Sequence, residues 1–125
     1  LVDQPHFHLG IAHANAVGKA LLAHTPDTVE RIINQGLPRL TELTITDPED
    51  FRSELGRIRV EGLSTDREEA IPGFYCLAVT VGGHGGLPRL GLSLAGLTTQ
   101  EVATHGALLR RVRVEIDRRL LALAS

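Results

Sequence analysis

Apolar residues recur with a helical period in four parts of this chain, and each run is bounded by a recognisable start or stop signal. Pro26 and Pro48 each follow a residue that can cap a helix and precede acidic residues, which is typical of a helix start. Thr98 and Glu101 fit a capping box. The predicted helices lie over Ala14–Ala23, between Thr25 and Gly36, between Asp47 and Gly62, and from Thr98 to Leu123.

Two segments predict strands. Phe74–Val81 is apolar at nearly every position, as in a strand covered on both faces, and Leu87–Gly96 alternates leucines with small residues. The glycine-rich stretch Gly82–Gly86 between them predicts a hairpin connection. A lone hairpin is marginal in water, so further strands are expected from residues 1–10, from residues 63–65, or from sequence before Leu1. Helices segregated from an antiparallel hairpin indicate an α+β fold.

Composition restricts the class of protein. A chain of 125 residues suits one domain, residues 1–125, and its net charge of −2 provides no basic field for holding a phosphate backbone. The only cysteine, Cys76, excludes an intrachain disulfide and a multi-cysteine zinc site, and favours a cytoplasmic location. No membrane span or signal peptide is predicted. The lack of any methionine suggests a domain cut from a longer chain.

Four segments, in this order and with these gaps, resemble the C-terminal effector-binding domain of IclR-type transcription regulators, which are named after the isocitrate lyase regulator. The resemblance covers residues 9–124. The segments are His13–Ala23, the stretch from Leu37 to Pro48, Gly62–Ala78 and Ser93–Gly96.

The resemblance implies a GAF-like antiparallel sheet flanked by helices, here without the strands that normally open the domain. It also implies the sensing half of a regulator, which binds a small organic effector such as a carboxylate or an aromatic acid and self-associates as a dimer or tetramer. DNA would be bound only by an N-terminal winged helix-turn-helix domain absent from this sequence. No enzymatic activity, cofactor, metal or membrane partner is implied.

Residue by residue, the resemblance implies an effector pocket with two walls. One wall is a turn whose backbone N–H groups face a ligand carboxylate, and the other consists of strand residues. Where the family has a second serine this chain has alanine, so an anchoring hydroxyl is missing. The implied effector-binding residues are Asn15, Ala16, Val17, Asp66, Cys76, Ser93 and Ala95.

Several of these features also have simpler interpretations. Asn15 can be an ordinary helix cap, and Cys76 a pocket wall or core residue instead of a nucleophile, since no basic neighbour is present to lower the pKa of its thiol. Asp66, Glu68 and Glu69 can form a general acid/base set or a solvated polar turn from which Asp66 faces inward. The alternative function is a dimerisation or interaction module that binds no ligand, suggested by Ala95. A cysteine-dependent enzyme is the third hypothesis.

Histidines near the amino end raise the question of a metal site. His6 and His8 would share one face of a strand, and His13 follows nearby, but no carboxylate or cysteine partner is predictable. Exposed or capping histidines are the favoured interpretation. The arginines of the last helix alternate with Glu115 and Asp117, which indicates a solvent face and not a nucleic-acid stripe.

Overall fold

The computed structural model describes residues 9–124. Within them the predicted α+β class is confirmed: four α-helices accompany a three-stranded antiparallel sheet. A 3-10 helix, Leu9–Ala14, precedes the first α-helix. The helices are α1 (Ala16–Leu22), α2 (Pro26–Gln35), α3 (Pro48–Glu61) and α4 (Thr99–Ala124), and the strands are β1 (Ser64–Arg67), β2 (Tyr75–Gly82) and β3 (Arg89–Leu97).

Most of the predicted helix starts are confirmed by their hydrogen bonds. Asp47 Oδ2 accepts from the Asp50 N–H at 3.0 Å. The capping box at α4 is complete, because Thr98 Oγ1 accepts from the Glu101 N–H at 3.1 Å and Glu101 Oε1 accepts from the Thr98 N–H at 2.9 Å. The side-chain cap expected from Thr25 is wrong, since its hydroxyl donates instead to the Leu21 and Leu22 carbonyls at 3.4 Å.

The third strand, β1, comes from the segment after Gly62, one of the three sources considered from the sequence. It pairs antiparallel with β2, and β2 pairs antiparallel with β3. A one-residue bulge at Gly96, which has a φ of 74°, shifts the register between Tyr75 and Cys76. Because of this extra residue, Leu97 packs on the same side of the sheet as Leu92 and Leu94.

Both faces of β2 are covered, as its continuous apolar pattern predicts. On one face Cys76 and Ala78 pack against Ala16 and Ala20 of α1. On the other face Leu77 and Val79 pack against α4. A separate apolar cluster joins α2 to α3 through Val29, Ile32, Phe51, Leu55 and Ile58. The sheet is therefore enclosed between α1 and α4. An edge strand was considered over residues 1–10; residues 1–8 lie outside the described part of the chain, and residues 9–10 belong to the 3-10 helix.

Candidate functional site

Three of the effector residues implied by the sequence stand in one row across the sheet. Asp66 of β1 is the register partner of Cys76 in β2, and Cys76 is the partner of Ala95 in β3. Directly paired residues present their side chains on the same face, and here that face is covered by α1. Asp66 is 1% exposed and Cys76 is 8% exposed, whereas Ala95 at the outer end is exposed. We call Asp66, Cys76 and Ala95 the cross-strand row.

The next row on this face contains the fourth strand residue of the predicted site. Ser64 pairs with Ala78, and Ala78 pairs with Ser93. Ser64 is buried, and its hydroxyl has no hydrogen-bond partner among residues 9–124. Ser93 is exposed. The two rows therefore run from a buried polar end at β1 to an open end at β3.

The turn that enters α1 lies against these rows through two of its three predicted residues. Ala16 is buried in the cluster with Cys76 and Ala78, and Val17 packs against the same cluster. The position of a Cβ on Gly91 would overlap Val17, so the helix lies in van der Waals contact with β3. The first helical N–H groups lack intrahelical acceptors in any α-helix, which places unpaired donors near this face.

The third turn residue, Asn15, is the helix cap that the simpler interpretation expected. Its Oδ1 accepts from the Gly18 N–H at 2.6 Å, and its Nδ2 donates to the Ile11 carbonyl at 3.3 Å. A Cβ at Gly18 would lie 2.3 Å from the Ala12 carbonyl oxygen, so glycine is required where the 3-10 helix passes into α1. Asn15 thus fixes the shape of the turn through its side chain.

Burial dominates the electrostatics of Asp66. It raises the pKa of the carboxyl to about 6. The Glu69 N–H donates to Asp66 Oδ1 at 2.9 Å and opposes this rise, while the negative charge of Glu69 adds to it. The nearby Lys19 ammonium also favours the ionised form. Asp66 therefore titrates close to neutral pH inside the fold.

A buried lysine, Lys19, organises the polar groups beneath the cross-strand row. It is 0% exposed, and its Nζ donates to Glu69 Oε1 at 2.7 Å, to Glu54 Oε2 at 2.8 Å and to the Thr65 carbonyl at 2.7 Å. These bonds join α1, α3 and β1. The sequence analysis missed this lysine, although its place among the small residues of α1 was a signal that it points into the protein.

Glu69 connects this cluster to the loop that precedes α3. Its carbonyl accepts from the Thr44 hydroxyl at 2.6 Å, and its Oε2 accepts from the Arg67 N–H at 3.1 Å. The interpretation of this segment as a solvated polar turn is wrong for Glu69, which is buried, whereas Asp66 faces inward as that interpretation expected. Glu68 is half-buried and accepts from the Tyr75 hydroxyl at 2.9 Å.

Cys76 has the properties of a wall residue. Burial raises the pKa of its thiol, and the negative charge of Asp66 raises it further, although a hydrogen bond with the Gly96 backbone acts in the opposite direction. A thiol with a raised pKa is protonated at neutral pH and is a poor nucleophile. The cross-strand row therefore presents three groups to a ligand on this face: the carboxyl of Asp66, the thiol of Cys76 and the methyl group of Ala95.

His13 is fully buried beside the start of α1. One ring nitrogen, Nε2, lies 2.8 Å from the Pro38 carbonyl, and burial lowers the pKa of the ring. Its other nitrogen has no hydrogen-bond partner within the described residues. His6 and His8, the other members of the suggested metal set, lie outside those residues. In the part of the chain from 9 to 124, no three His, Cys, Asp or Glu side chains are grouped to hold a metal ion.

Two cavities flank the buried polar cluster. One of about 320 Å³ lies over Thr41, Leu43 and Pro72. Another of about 330 Å³ lies beside Glu54, Thr65 and Glu69. Neither is lined by the effector residues expected from the sequence.

The fold and the polar cluster define a small α+β domain, and the comparisons with known proteins identify its family. The family described as bacterial transcriptional regulator IclR C-terminal matches residues 10–114. The chain belongs to this family. Its relatives are transcription regulators and not enzymes. Within residues 9–124, no helix is both long enough and apolar enough to cross a membrane.

Two curated relatives illustrate the match. The HTH-type transcriptional regulator BhcR of Paracoccus denitrificans is 39% identical over 88 residues, which cover 69% of this chain and 32% of that protein. The HTH-type transcriptional repressor AllR of Klebsiella pneumoniae is 33% identical over 111 residues, or 84% of this chain and 41% of that protein. The chain thus spans well under half the length of these relatives.

Solved structures show the same fold. The C-terminal domain of the Escherichia coli transcriptional regulator KdgR is 30% identical, with a TM-score of 0.70 over 86% of this chain and 69% of that one. The inducer-binding domain of an Acinetobacter PobR double mutant, solved as a 3-hydroxybenzoic acid complex, is 31% identical. Its TM-score is 0.73 over 85% of this chain and 65% of that one.

Proposed function

We propose that this domain senses a small organic effector on the sheet face covered by α1. The observation that carries the proposal is the arrangement of polar groups on that face. Asp66 is a buried carboxyl, and the neighbouring Ser64 hydroxyl has no partner among residues 9–124. Unpaired buried polar groups cost free energy, so proteins retain them where a ligand or water completes their hydrogen bonds.

The open end of the two rows gives the effector a way in. Ser93 and Ala95 are exposed on β3, next to the turn formed by Asn15, Ala16 and Val17. In this proposal the Ala16 and Val17 N–H groups bind an effector carboxylate, while Asp66 and Ser93 bind its polar substituents. Cys76 and Ala95 form an apolar wall. Because Ala95 lacks a hydroxyl, the wall favours an effector with an apolar part, such as an aromatic acid.

The response to the effector would reach DNA through a different part of the protein. With a net charge of −2, this chain has no field suited to the DNA backbone. We propose that an N-terminal winged helix-turn-helix domain binds DNA, and that the domain described here self-associates. An effector that binds one arrangement of the assembly more tightly shifts the population towards that arrangement.

A thermal-shift panel of aliphatic keto acids and aromatic acids tests effector binding. An effector present at about 100 times its Kd adds about 2.7 kcal/mol of stability, which corresponds to a Tm rise of roughly 8 °C for a domain of this size. Asp66→Asn and Ser93→Ala should each reduce the rise. Ser53→Ala, which removes an exposed hydroxyl from α3, is the matched control and should leave it unchanged. Ala95→Ser should shift the preference towards smaller, more polar acids.

The second candidate function, a dimerisation module without a ligand, is favoured by one observation. Ala16, Ala20, Cys76 and Ala78 form a closed, buried cluster beneath α1. A folded, self-associating chain whose Tm responds to none of the acids would support this function against effector sensing. A rise that persists unchanged in Asp66→Asn and Ser93→Ala would place the effector elsewhere on the domain.

A further inference from the structure

Away from the cross-strand row, a small crevice lies at the opposite end of α1. It forms beside the part of β2 that has no partner in β1. β1 begins at Ser64, opposite Ala78, whereas β2 continues beyond Ala78 to Gly82. The last turns of α1 and α3 and the middle of α4 close around this part of β2. The crevice has a volume of about 40 Å³, and the polar side chains lining it are His24, Arg59, Thr80 and Arg113.

The ionisable groups around this crevice are basic. Burial lowers the pKa of His24, and the charges of Arg89, Arg59 and Arg113 lower it further. No carboxylate of the described residues contributes to this effect on His24. Three guanidinium groups therefore lie near one imidazole without a compensating negative charge from residues 9–124.

The hydrogen bonds of these arginines leave donors free. Arg59 donates from Nη1 to the Ala23 carbonyl at 2.9 Å, and Arg89 makes a long 3.4 Å contact with the Thr80 hydroxyl. Arg113 Nε is buried without a hydrogen-bond partner in the part of the chain from 9 to 124. A guanidinium carries five N–H donors, so most of this donor capacity is unused by the fold.

The acidic side chains on the neighbouring turns are already engaged. Glu61 pairs with Arg57 at 2.9 Å and lies 4.0 Å from Arg110. Asp117 accepts from the Gly82 N–H at 2.7 Å. Some surface arginines, such as Arg52 and Arg118, have carboxylate partners. Within residues 9–124, Arg59, Arg89 and Arg113 form no ion pair with a carboxylate.

We infer that this crevice is an oxyanion site, separate from the proposed effector site, which takes a phosphate or carboxylate group of a small molecule. Guanidinium groups match the geometry of both oxyanions and bind them through paired N–H donors. A site for one water needs roughly 10–15 Å³, so 40 Å³ admits the oxygens of one small oxyanion and leaves the rest of its molecule outside. We call this the basic crevice.

The basic crevice and the cross-strand row are connected through α1. Ala20 lines the crevice and also packs in the cluster with Cys76, while Ala16 lies one turn earlier beside the row. An anion held at His24 therefore lies just beyond the end of the same short helix whose start would hold an effector. A ligand bound at one site would therefore restrict the positions that α1 can adopt when the other site binds its own ligand.

NMR of the histidine side chains tests this inference with two probes, inorganic phosphate and acetate. Each is titrated into the 125-residue chain at constant ionic strength, with sodium chloride as the reference, and the chemical shifts of all six histidines are followed. Binding in the basic crevice should raise the pKa of His24 by about one unit and leave His105 unchanged. A rise in the pKa of His24 with phosphate but not with acetate indicates a site for phosphorylated ligands. A rise with both probes indicates a site that accepts carboxylates as well as phosphates.

Two variants locate the probe. Arg113→Gln should weaken phosphate binding by about tenfold, the effect of losing one charged hydrogen bond, and Arg89→Gln gives an independent measurement if the first variant folds poorly. Arg118→Gln removes an equal charge from the exposed face of α4 and should bind phosphate as the original chain does. The inference is wrong if phosphate moves His24 no more than chloride does, or if all three variants bind it equally.

Discussion

At the scale of single residues, the most unusual feature is the complete burial of Lys19. Removing an ammonium group from water is costly, and the cost is offset here by two carboxylates and a carbonyl within 2.8 Å. Because Glu54 and Glu69 belong to different parts of the chain, the lysine joins α1 to α3 and to the segment that positions Asp66. The stability of the candidate site therefore depends on a residue that lies outside it.

Replacing Lys19 with methionine should destabilise the domain strongly. The variant keeps most of the side-chain volume but leaves Glu69 without its cation and Glu54 with Arg57 alone, and breaking a buried pair in this way costs about 3–5 kcal/mol. Urea unfolding followed by circular dichroism measures the change. Arg52→Met is the matched control, because Arg52 pairs with two carboxylates on the surface, and its unfolding midpoint should hardly move. Equal losses of unfolding free energy in the two variants would contradict the role assigned to Lys19.

The raised pKa of Asp66 predicts a dependence of stability on pH. Its folded pKa of about 6 exceeds the ordinary 3.8, so the fold favours the protonated carboxyl. This contribution is fully present below pH 3.8 and is lost as the pH rises through about 6. A shift of about 2 units corresponds to about 3 kcal/mol. The free energy of unfolding of the original chain should therefore fall by about that amount relative to Asp66→Asn across this range.

Urea unfolding of both proteins at a series of pH values measures this difference. Asparagine retains an oxygen that can accept from the Glu69 N–H, so the variant removes the titration and keeps the hydrogen bond. Asp27→Asn provides the control, because Asp27 is exposed in the first turn of α2. A pH-independent difference for Asp66→Asn would show that burial does not control its titration.

At the scale of elements, the position of α1 depends on the small residues between it and the sheet. Ala16 and Ala20 face Cys76 and Ala78, and Val17 occupies the space above Gly91. A Cβ on Gly91 would lie 2.2 Å from Val17 Cγ2, far inside van der Waals contact. The absence of a side chain at one position of β3 thus sets how closely the helix approaches the row.

Gly91→Ala should destabilise the domain by about 1–3 kcal/mol through this overlap, and Val17→Ala in the same chain should restore most of the loss. The double-mutant cycle isolates the contact, since each single change alters only one of the two partners. Gly56→Ala is the control, because its nearest neighbour is 3.9 Å away and alanine favours the helix. Thermal unfolding measures the four proteins of the cycle and the control. If Val17→Ala fails to rescue Gly91→Ala, the approach of α1 is not set by this contact.

The elements also show where prediction from sequence stops. The helices and the β2–β3 hairpin follow from periodicity and capping residues, and the Thr98–Glu101 box is found as predicted. β1 could not be predicted in the same way, because its sequence is polar and has no alternating apolar side. Asp66 is buried by tertiary packing beneath α1, and Lys19 by carboxylates distant in the sequence. A local pattern can indicate that a side chain points inward, but it does not identify the distant partners that make its burial possible.

At the scale of the molecule, the resemblance to the family identified Asp66, Cys76 and Ala95, and the register places these three in one row. The basic crevice was not predicted from the sequence, because its histidine lies in the turn after α1 and its arginines come from α3, β3 and α4, and they converge only in the fold. An exposed sheet edge favours pairing with another chain. Within residues 9–124, β3 has a strand on one side only.

Within the described residues the outer edge of β3 is unpaired, and this predicts self-association of the chain. Its outer backbone groups can pair with another strand, and Leu90, which is 53% exposed, lies beside that edge on the side of the sheet facing α4. Exposed Leu108 and Val112 extend the apolar surface along α4. Sedimentation velocity over a range of concentrations should therefore give a mass that rises above the monomer value of 13.5 kDa.

A charge at the edge should oppose this pairing, since natural edge strands use lysine for the same purpose. We expect Leu90→Lys to remain monomeric at concentrations where the original chain associates. Val60→Lys is the matched control, because Val60 is an apolar residue of α3 that is 88% exposed and distant in the fold from β3. Association that weakens equally in both variants reflects net charge alone, and association that survives only in Val60→Lys places the contact at β3.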